Sequence, residues 1–155
     1  MTDLLRVSRQ MSRDCAWLRV RQASRALTAI YDARLQPAGI LSSQLSVLVA
    51  IAAFGEHEAG IGDLAGELAM DRTTLTRNLR PLEKSGFVRV ARSPSDARAR
   101  IVLLTPAGAR AIETAFPLWE QAQRVVRETL GAKRLGELLA RLGEITEGPS
   151  PARSR

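Results

Sequence analysis

The residues best suited to chemistry in this chain are arginines and threonines at helical spacing: Arg72, Thr73, Thr74, Thr76, Arg77 and Arg80. Arg92, Asp96 and Arg98 follow. On the outer face of a helix, an arginine can engage guanine O6 and N7 through two parallel hydrogen bonds. A threonine offers its hydroxyl to a phosphate and its methyl to thymine. The charge gathers in the same place. Residues 72 to 100 hold eight cations (Arg72, Arg77, Arg80, Lys84, Arg89, Arg92, Arg98, Arg100) and two acids, Glu83 and Asp96. That stretch is +6, and the other 15 cations and 14 acids leave +1 of the total of +7. A basic run alone is often only a solvated face. Confining the excess to one segment is what a phosphate-binding surface requires.

The remaining reactive groups are isolated. Cys15 is the single cysteine, so no internal disulfide can form, and a reducing, intracellular compartment is expected. It stands at the head of a helical stretch near Arg13 and Arg19, a setting that favours a thiolate. His57, the only histidine, lies in a loop with Glu56 and Glu58. With no Cys/His cluster, neither a metal site nor a cofactor is expected. There is no nucleophile elbow, P-loop or Rossmann glycine pattern, and no histidine within sequence reach of Cys15, so enzymatic activity is not expected.

These side chains need elements to hold them. Residues 13 to 35 read as one long helix, with Trp17, Val20, Ser24, Leu27 and Tyr31 recurring at three or four residues, stopped by Pro37 and Gly39. Ser42 or Ser43 can cap a second helix to about Phe54, and Gly55 to Gly60 reads as a loop. Ile61 to Leu68, capped near Gly62 or Asp63, then a turn at Ala69 to Asp71 and a helix from Arg72 to about Lys84 make a helix-turn-helix. Its contacts would come from Leu64, Leu68, Met70, Leu75 and Leu79, with Ala65 where the helices touch and Ala69 where such turns often carry glycine. Pro81 predicts a bend or end of the second helix. Phe87 to Val90 and Ile101 to Leu104 alternate as strands, and the Arg92 to Arg100 tip closes them into a basic hairpin. After Pro106, Ile112, Phe116, Trp119, Val126 and Leu130 mark a long helix that Pro117 should kink or restart. Leu135, Leu138, Leu139, Leu142 and Ile145 mark the last helix, and residues 148 to 155 read as a disordered tail.

Two helices followed by a hairpin predict a mainly α protein with a small β-hairpin: a winged helix-turn-helix at about 42–105, flanked by helices at about 13–36 and 106–147. The flanking stripes can pack within the chain or interlock with a second copy. A palindromic duplex read at half-sites about 34 Å apart favours dimerisation helices and a homodimer. At 155 residues, with 45% hydrophobic and 25% charged residues, the chain suits one globular domain. Met1 to Leu18 is broken by Asp3, Arg6, Arg9, Arg13 and Asp14, unlike a signal peptide, and the apolar run Leu45 to Phe54 is too short to cross a bilayer. A cytoplasmic protein with no membrane partner is expected.

The run from Asp71-Arg72-Thr73-Thr74-Leu75-Thr76-Arg77-Asn78-Leu79 to Leu82-Glu83-Lys84-Ser85-Gly86-Phe87-Val88 resembles the recognition segment of MarR-family regulators. Ser95-Asp96-Ala97-Arg98, followed by Val102-Leu103-Leu104-Thr105-Pro106-Ala107-Gly108, resembles that family's Asp-x-Arg wing leading to Leu-Thr-x-x-Gly. The resemblance covers roughly residues 13 to 147 and implies a single MarR-like domain over 1–147. It implies a dimer joined by the flanking helices, with a recognition helix in each major groove and Arg98 in the adjacent minor groove. Asp96 would brace the hairpin by pairing with an arginine. It further implies transcription regulation, as a repressor at a pseudo-palindromic operator, released by a small aromatic or phenolic ligand or by oxidation. Trp17, Tyr31 and Phe54 would line the ligand pocket, although each also suits core packing. Cys15 resembles the redox cysteine of the family's organic-hydroperoxide-sensing branch, against the alternative of an ordinary thiol. Two other readings share the scaffold: a winged-helix protein-interaction module without DNA binding, and an architectural binder indifferent to sequence.

Overall fold

The computed structural model describes residues 2–55, 59–96 and 98–147. His57, Ala97 and the stretch expected to be a tail lie outside the described residues. In chain order come α1 (Thr2–Asp14), α2 (Ala16–Leu35), a 3-10 turn (Gln36–Ala38), α3 (Ser42–Ala53), β1 (Ala59–Gly60), α4 (Ile61–Glu67) and α5 (Arg72–Lys84). They are followed by β2 (Val88–Arg92), β3 (Arg100–Leu104), α6 (Pro106–Leu130) and α7 (Ala132–Glu147). This is the mainly α winged helix-turn-helix expected, with helices on both sides of it in sequence. Among the described residues, no single helix is long and apolar enough to cross a membrane.

The structure departs from the sequence-based expectation at several boundaries. The helix expected from residue 13 begins at Ala16 as α2, and residues 2–14 form a further helix that was not expected: α1 ends at Asp14, and Cys15 adopts an extended backbone (φ −78°, ψ 107°). Its N–H still donates to the Met11 carbonyl and its own carbonyl accepts from Arg19 N–H, so the break is one residue wide. α3 is capped by Leu41, not by a serine. The exposed N–H groups there go to carboxamide and carboxylate oxygens instead. Leu41 N–H donates to Gln44 Oε1 at 3.0 Å and Ser42 N–H to Asp32 Oδ1 at 2.7 Å. α4 starts at Ile61 as expected but is capped by Gly60, not by Gly62 or Asp63, and ends at Glu67.

The hairpin is part of a three-stranded antiparallel sheet ordered β1-β3-β2, because Ala59 and Gly60, expected in a loop, pair with Val102 and Ile101. α6 runs unbroken through Pro117. A proline removes one backbone hydrogen bond, but Ala115 and Ala122 on either side of it are fully buried and α6 packs along α2. Packing holds the helix where local preference would stop it.

The core sits where the end of α2, α3, α4, α5 and the sheet converge. Leu35, Leu48, Leu64, Leu75, Leu82 and Val102 are its largest fully enclosed side chains, apart from Val47. Leu75, Leu79 and Leu82 fall at helical spacing on one face of α5, which anchors that helix and turns its opposite face outward.

Candidate nucleic-acid interface

The turn between α4 and α5 is tightly made. Ala69 N–H donates to the Gly66 carbonyl and Met70 N–H to the Ala65 carbonyl, a Schellman closure with Ala69 at its left-handed position (φ 50°). An alanine pays a steric cost there that a glycine would not. Asp71 then caps α5: its Oδ1 accepts from Thr74 N–H at 2.8 Å and its Oδ2 from the Thr74 hydroxyl at 2.6 Å. The Thr74 hydroxyl, then its N–H, holds the Asp71 carboxyl below the usual carboxylate range.

Arg72, Thr73, Thr74, Thr76, Arg77 and Arg80 are all exposed on α5. Their hydroxyls differ. Thr74 donates to Asp71, and Thr76 donates to the Arg72 carbonyl at 2.7 Å. With those donors engaged, their methyls remain available to thymine, whereas Thr73 keeps a hydroxyl that can donate to a phosphate. The Arg72 guanidinium lies across α4: a β-carbon on Gly62 would stand 3.1 Å from Nη2. Pro81 neither ends α5 nor stops it short. The helix runs to Lys84 and closes on Gly86 (φ 72°), with Gly86 N–H on Glu83 and Phe87 N–H on Leu82. Only one turn follows the proline, and the buried Leu82 pins it.

The wing tip is set by Ser93, which is buried. Its Oγ accepts from Ser95 N–H and Asp96 N–H, each at 3.1 Å. Asp96 braces the tip through the backbone, and not through an arginine as expected: its Oδ1 accepts from Arg98 N–H at 2.9 Å. Among the described residues no cation pairs with its carboxylate. A short carboxylate at a turn reaches the amide two residues on more readily than a long guanidinium. Arg98 is exposed, and Arg92 lies directly across from Arg100 in the β2–β3 register. Like charges opposite one another repel, so this pair favours an anion beside it. Arg100 was absent from the expected site, although the charge run contained it.

The wing is joined to α6 by Thr105 and Gly108. The Thr105 hydroxyl lies 2.6 Å from the Gly86 carbonyl and 3.0 Å from that of Phe87, and its oxygen accepts from Gly108 N–H. A β-carbon on Gly108 would stand 2.2 Å from the Phe87 carbonyl oxygen, so only glycine fits. The spacing Leu-Thr-x-x-Gly thus fixes the start of α6 against the end of α5.

A cavity of about 650 Å³ opens between α2, α3, the end of α4 and α6. Tyr31, Leu45, Val49, Glu67, Phe116 and Trp119 are among its lining. Phe116 and Trp119 stack with centroids 6.0 Å apart, and the Tyr31 hydroxyl donates to Gln123 Oε1. Of the three expected aromatic residues, the structure brings only Tyr31 here. Phe54 lines an adjoining cavity, and Trp17 is 67% exposed with Arg21 over its ring at 5.2 Å. Trp17 therefore belongs neither to the cavity nor to the core. Trp119, read from sequence only as part of a helical stripe, faces the cavity. Cys15 is half-buried at the α1–α2 break. Neither neighbouring arginine serves it, since Arg13 pairs with Asp14 at 2.8 Å and Arg19 contacts Gln22.

An anchored helix with an outward basic face, joined to a basic hairpin, defines the winged helix-turn-helix class. A family model described as "MarR family" matches residues 40–99. The M. tuberculosis transcriptional regulator MosR, solved in complex with DNA, is 36% identical with a TM-score of 0.75, over 86% of this chain and 97% of that one. The chain belongs to the MarR family of winged-helix transcriptional regulators. An uncharacterised HTH-type transcriptional regulator of Bacillus subtilis (strain 168), YdgJ, is 32% identical over 92 residues, 59% of this chain. The match spans about half of that relative (53%). Mutant MarR from E. coli complexed with operator DNA has a TM-score of 0.77 at 23% identity, over 87% of this chain and 96% of that one, and shares the fold.

Proposed function

We propose that this protein is a sequence-specific DNA-binding regulator, acting over residues 1–147 as one unit and as a homodimer on a pseudo-palindromic operator. The observation that carries the reading is the state of its cations. Arg72, Arg77, Arg80, Arg92, Arg98 and Arg100 are all exposed, and among the described residues none is in an ion pair. Guanidinium groups held outward without carboxylate partners suit phosphates and guanines. The recognition helix α5 would enter the major groove, with Arg98 in the minor groove, whose narrow, electronegative form attracts arginine. MosR and MarR, as solved with DNA, support the same partner.

The homodimer reading rests on exposed apolar side chains. Leu4, Leu5, Met11, Trp17, Phe116 and Leu139 are each more than half exposed, and all lie on α1, α2, α6 or α7. A second copy would bury them and set two α5 helices about one DNA turn apart. Repression ends when a small aromatic or phenolic molecule enters the cavity, or when Cys15 is oxidised, changing the spacing of the two helices. Peroxide-induced release surviving in Cys15→Ser would remove the oxidation route.

The test is fluorescence anisotropy against duplex from the protein's own promoter and a scrambled duplex at near-physiological salt. Roughly thousandfold or greater preference for the promoter is expected. Equal, salt-sensitive binding to both, persisting after selection from random DNA, would favour the architectural binder. Binding to neither would favour the interaction module.

A further inference from the structure

The charge lining the cavity differs in sign from the charge of the chain. The sequence has 23 Lys and Arg against 16 Asp and Glu, yet no Lys, Arg or His is among the described residues that line this cavity. Glu67, at the last turn of α4, is the only charged residue among the described lining residues. Tyr31 is a neutral phenol whose titration burial pushes further up, and its hydroxyl is engaged by Gln123.

The one place on the wall that favours an anion is the start of α3 at Ser42, where a helix N-terminus offers free N–H groups. That place is already taken. The Asp32 carboxylate accepts from Ser42 N–H at 2.7 Å, and Gln44 Oε1 covers the N–H of Leu41. A carboxylate ligand would therefore meet Glu67 without a compensating cation, and the Ser42 N–H would already be engaged by Asp32. An ammonium would find the Glu67 carboxylate, which attracts positive charge, while the ring bearing it would find the stacked aromatics.

Resting on the reading of this cavity as the effector site, we propose that it takes an aromatic amine in its protonated form rather than an aromatic acid. The ammonium sits at Glu67, and the ring lies among Trp119, Phe116 and the aliphatic side chains of α3. Glu67 belongs to the first helix of the helix-turn-helix, while Trp119 and Phe116 belong to α6. An occupant spanning the two therefore ties the position of the DNA-reading unit to the flanking helices.

The test is isothermal titration of the full chain with three probes of one shape: naphthylmethylamine, naphthylmethanol and naphthoate at neutral pH. The amine is expected to bind about fivefold or more tighter than the alcohol, and naphthoate weakest, the size an ion pair at a partly open site supports. Glu67→Gln, a surface change that leaves the helix intact, should bring the amine down to the alcohol and leave the alcohol unchanged. Naphthoate binding as tightly as the amine, an amine preference surviving Glu67→Gln, or no binding of any probe would each overturn the proposal. Operator binding measured on the same preparations separates the two readings. Intact operator binding with no amine preference overturns only this inference. Amine preference without operator binding overturns the regulator reading instead.

Discussion

Every ion pair among the described residues lies in the flanking helices, which also leave apolar side chains without cover; the α5–wing segment shows neither. The ion pairs among the described residues are Arg6–Asp3, Arg13–Asp14 and Arg141–Glu144, all on α1 or α7. None involves residues 72 to 100, where eight cations stand. Conversely, none of the large apolar side chains left exposed lies on α4, α5 or the wing strands, whereas α1 and α7 expose Leu4, Leu5, Met11, Leu138, Leu139 and Ile145. One region is internally complete in its packing and open in its charge. The other holds the ion pairs and is open in its packing. Each kind of incompleteness names its partner: a polyanion for the first, a second apolar surface for the second.

That contrast can be broken most forcefully in the packing. Leu75→Ala, at a fully buried position, should cost about 2–5 kcal/mol of folding stability by chemical denaturation. The same truncation at Leu139, which is 55% exposed, should leave the fold within about 0.5 kcal/mol and instead weaken self-association, read by sedimentation across a concentration series. An equal loss of folding stability at both sites would erase the distinction between the regions.

Next in size are the arginines. Arg77→Ala and Arg98→Ala should each weaken operator binding by about 1–3 kcal/mol without altering the sedimenting mass. Arg77→Ala should also relax base preference, as loss of a phosphate contact alone would not. An unchanged affinity for Arg98→Ala would remove the wing from the mechanism. The smallest expected effect is a gain: Ala69→Gly relieves a left-handed alanine (φ 50°) and should raise stability by about 1 kcal/mol, with operator affinity kept.

The α5 segment was readable from sequence because its signals agree. Leu75, Leu79 and Leu82 repeat at helical spacing, Asp71 is a capping residue, and Gly86 is a helix-ending one. The Thr105 and Gly108 motif was visible as a resemblance, and its reason appears only in three dimensions, where Gly108 meets the Phe87 carbonyl. What escaped the sequence depends on partners far along the chain. β1 is two residues, Ala59 and Gly60, and exists only because β3 lies beside it. α1 carries Leu4, Val7 and Met11 at helical spacing, a signal that was present in the sequence but went unread because no core in the chain receives that face. Trp17 and Trp119 both sit on amphipathic stripes, and only the fold puts one in the open and the other at the cavity. The charge of Glu67 gave no hint of a cavity, since a glutamate near the end of a short helix is ordinary surface composition.

The most direct test of the central claim, that the unpaired arginines of α5 and the wing form a phosphate-binding surface, is the salt dependence of operator affinity. Each phosphate neutralised contributes about −0.9 to the slope of log K against log salt concentration. A dimer placing at least three of these arginines per protomer on phosphates should give a slope of about −5 or steeper. A slope shallower than about −2 would contradict the account, because the arginines would then be exposed without meeting the backbone.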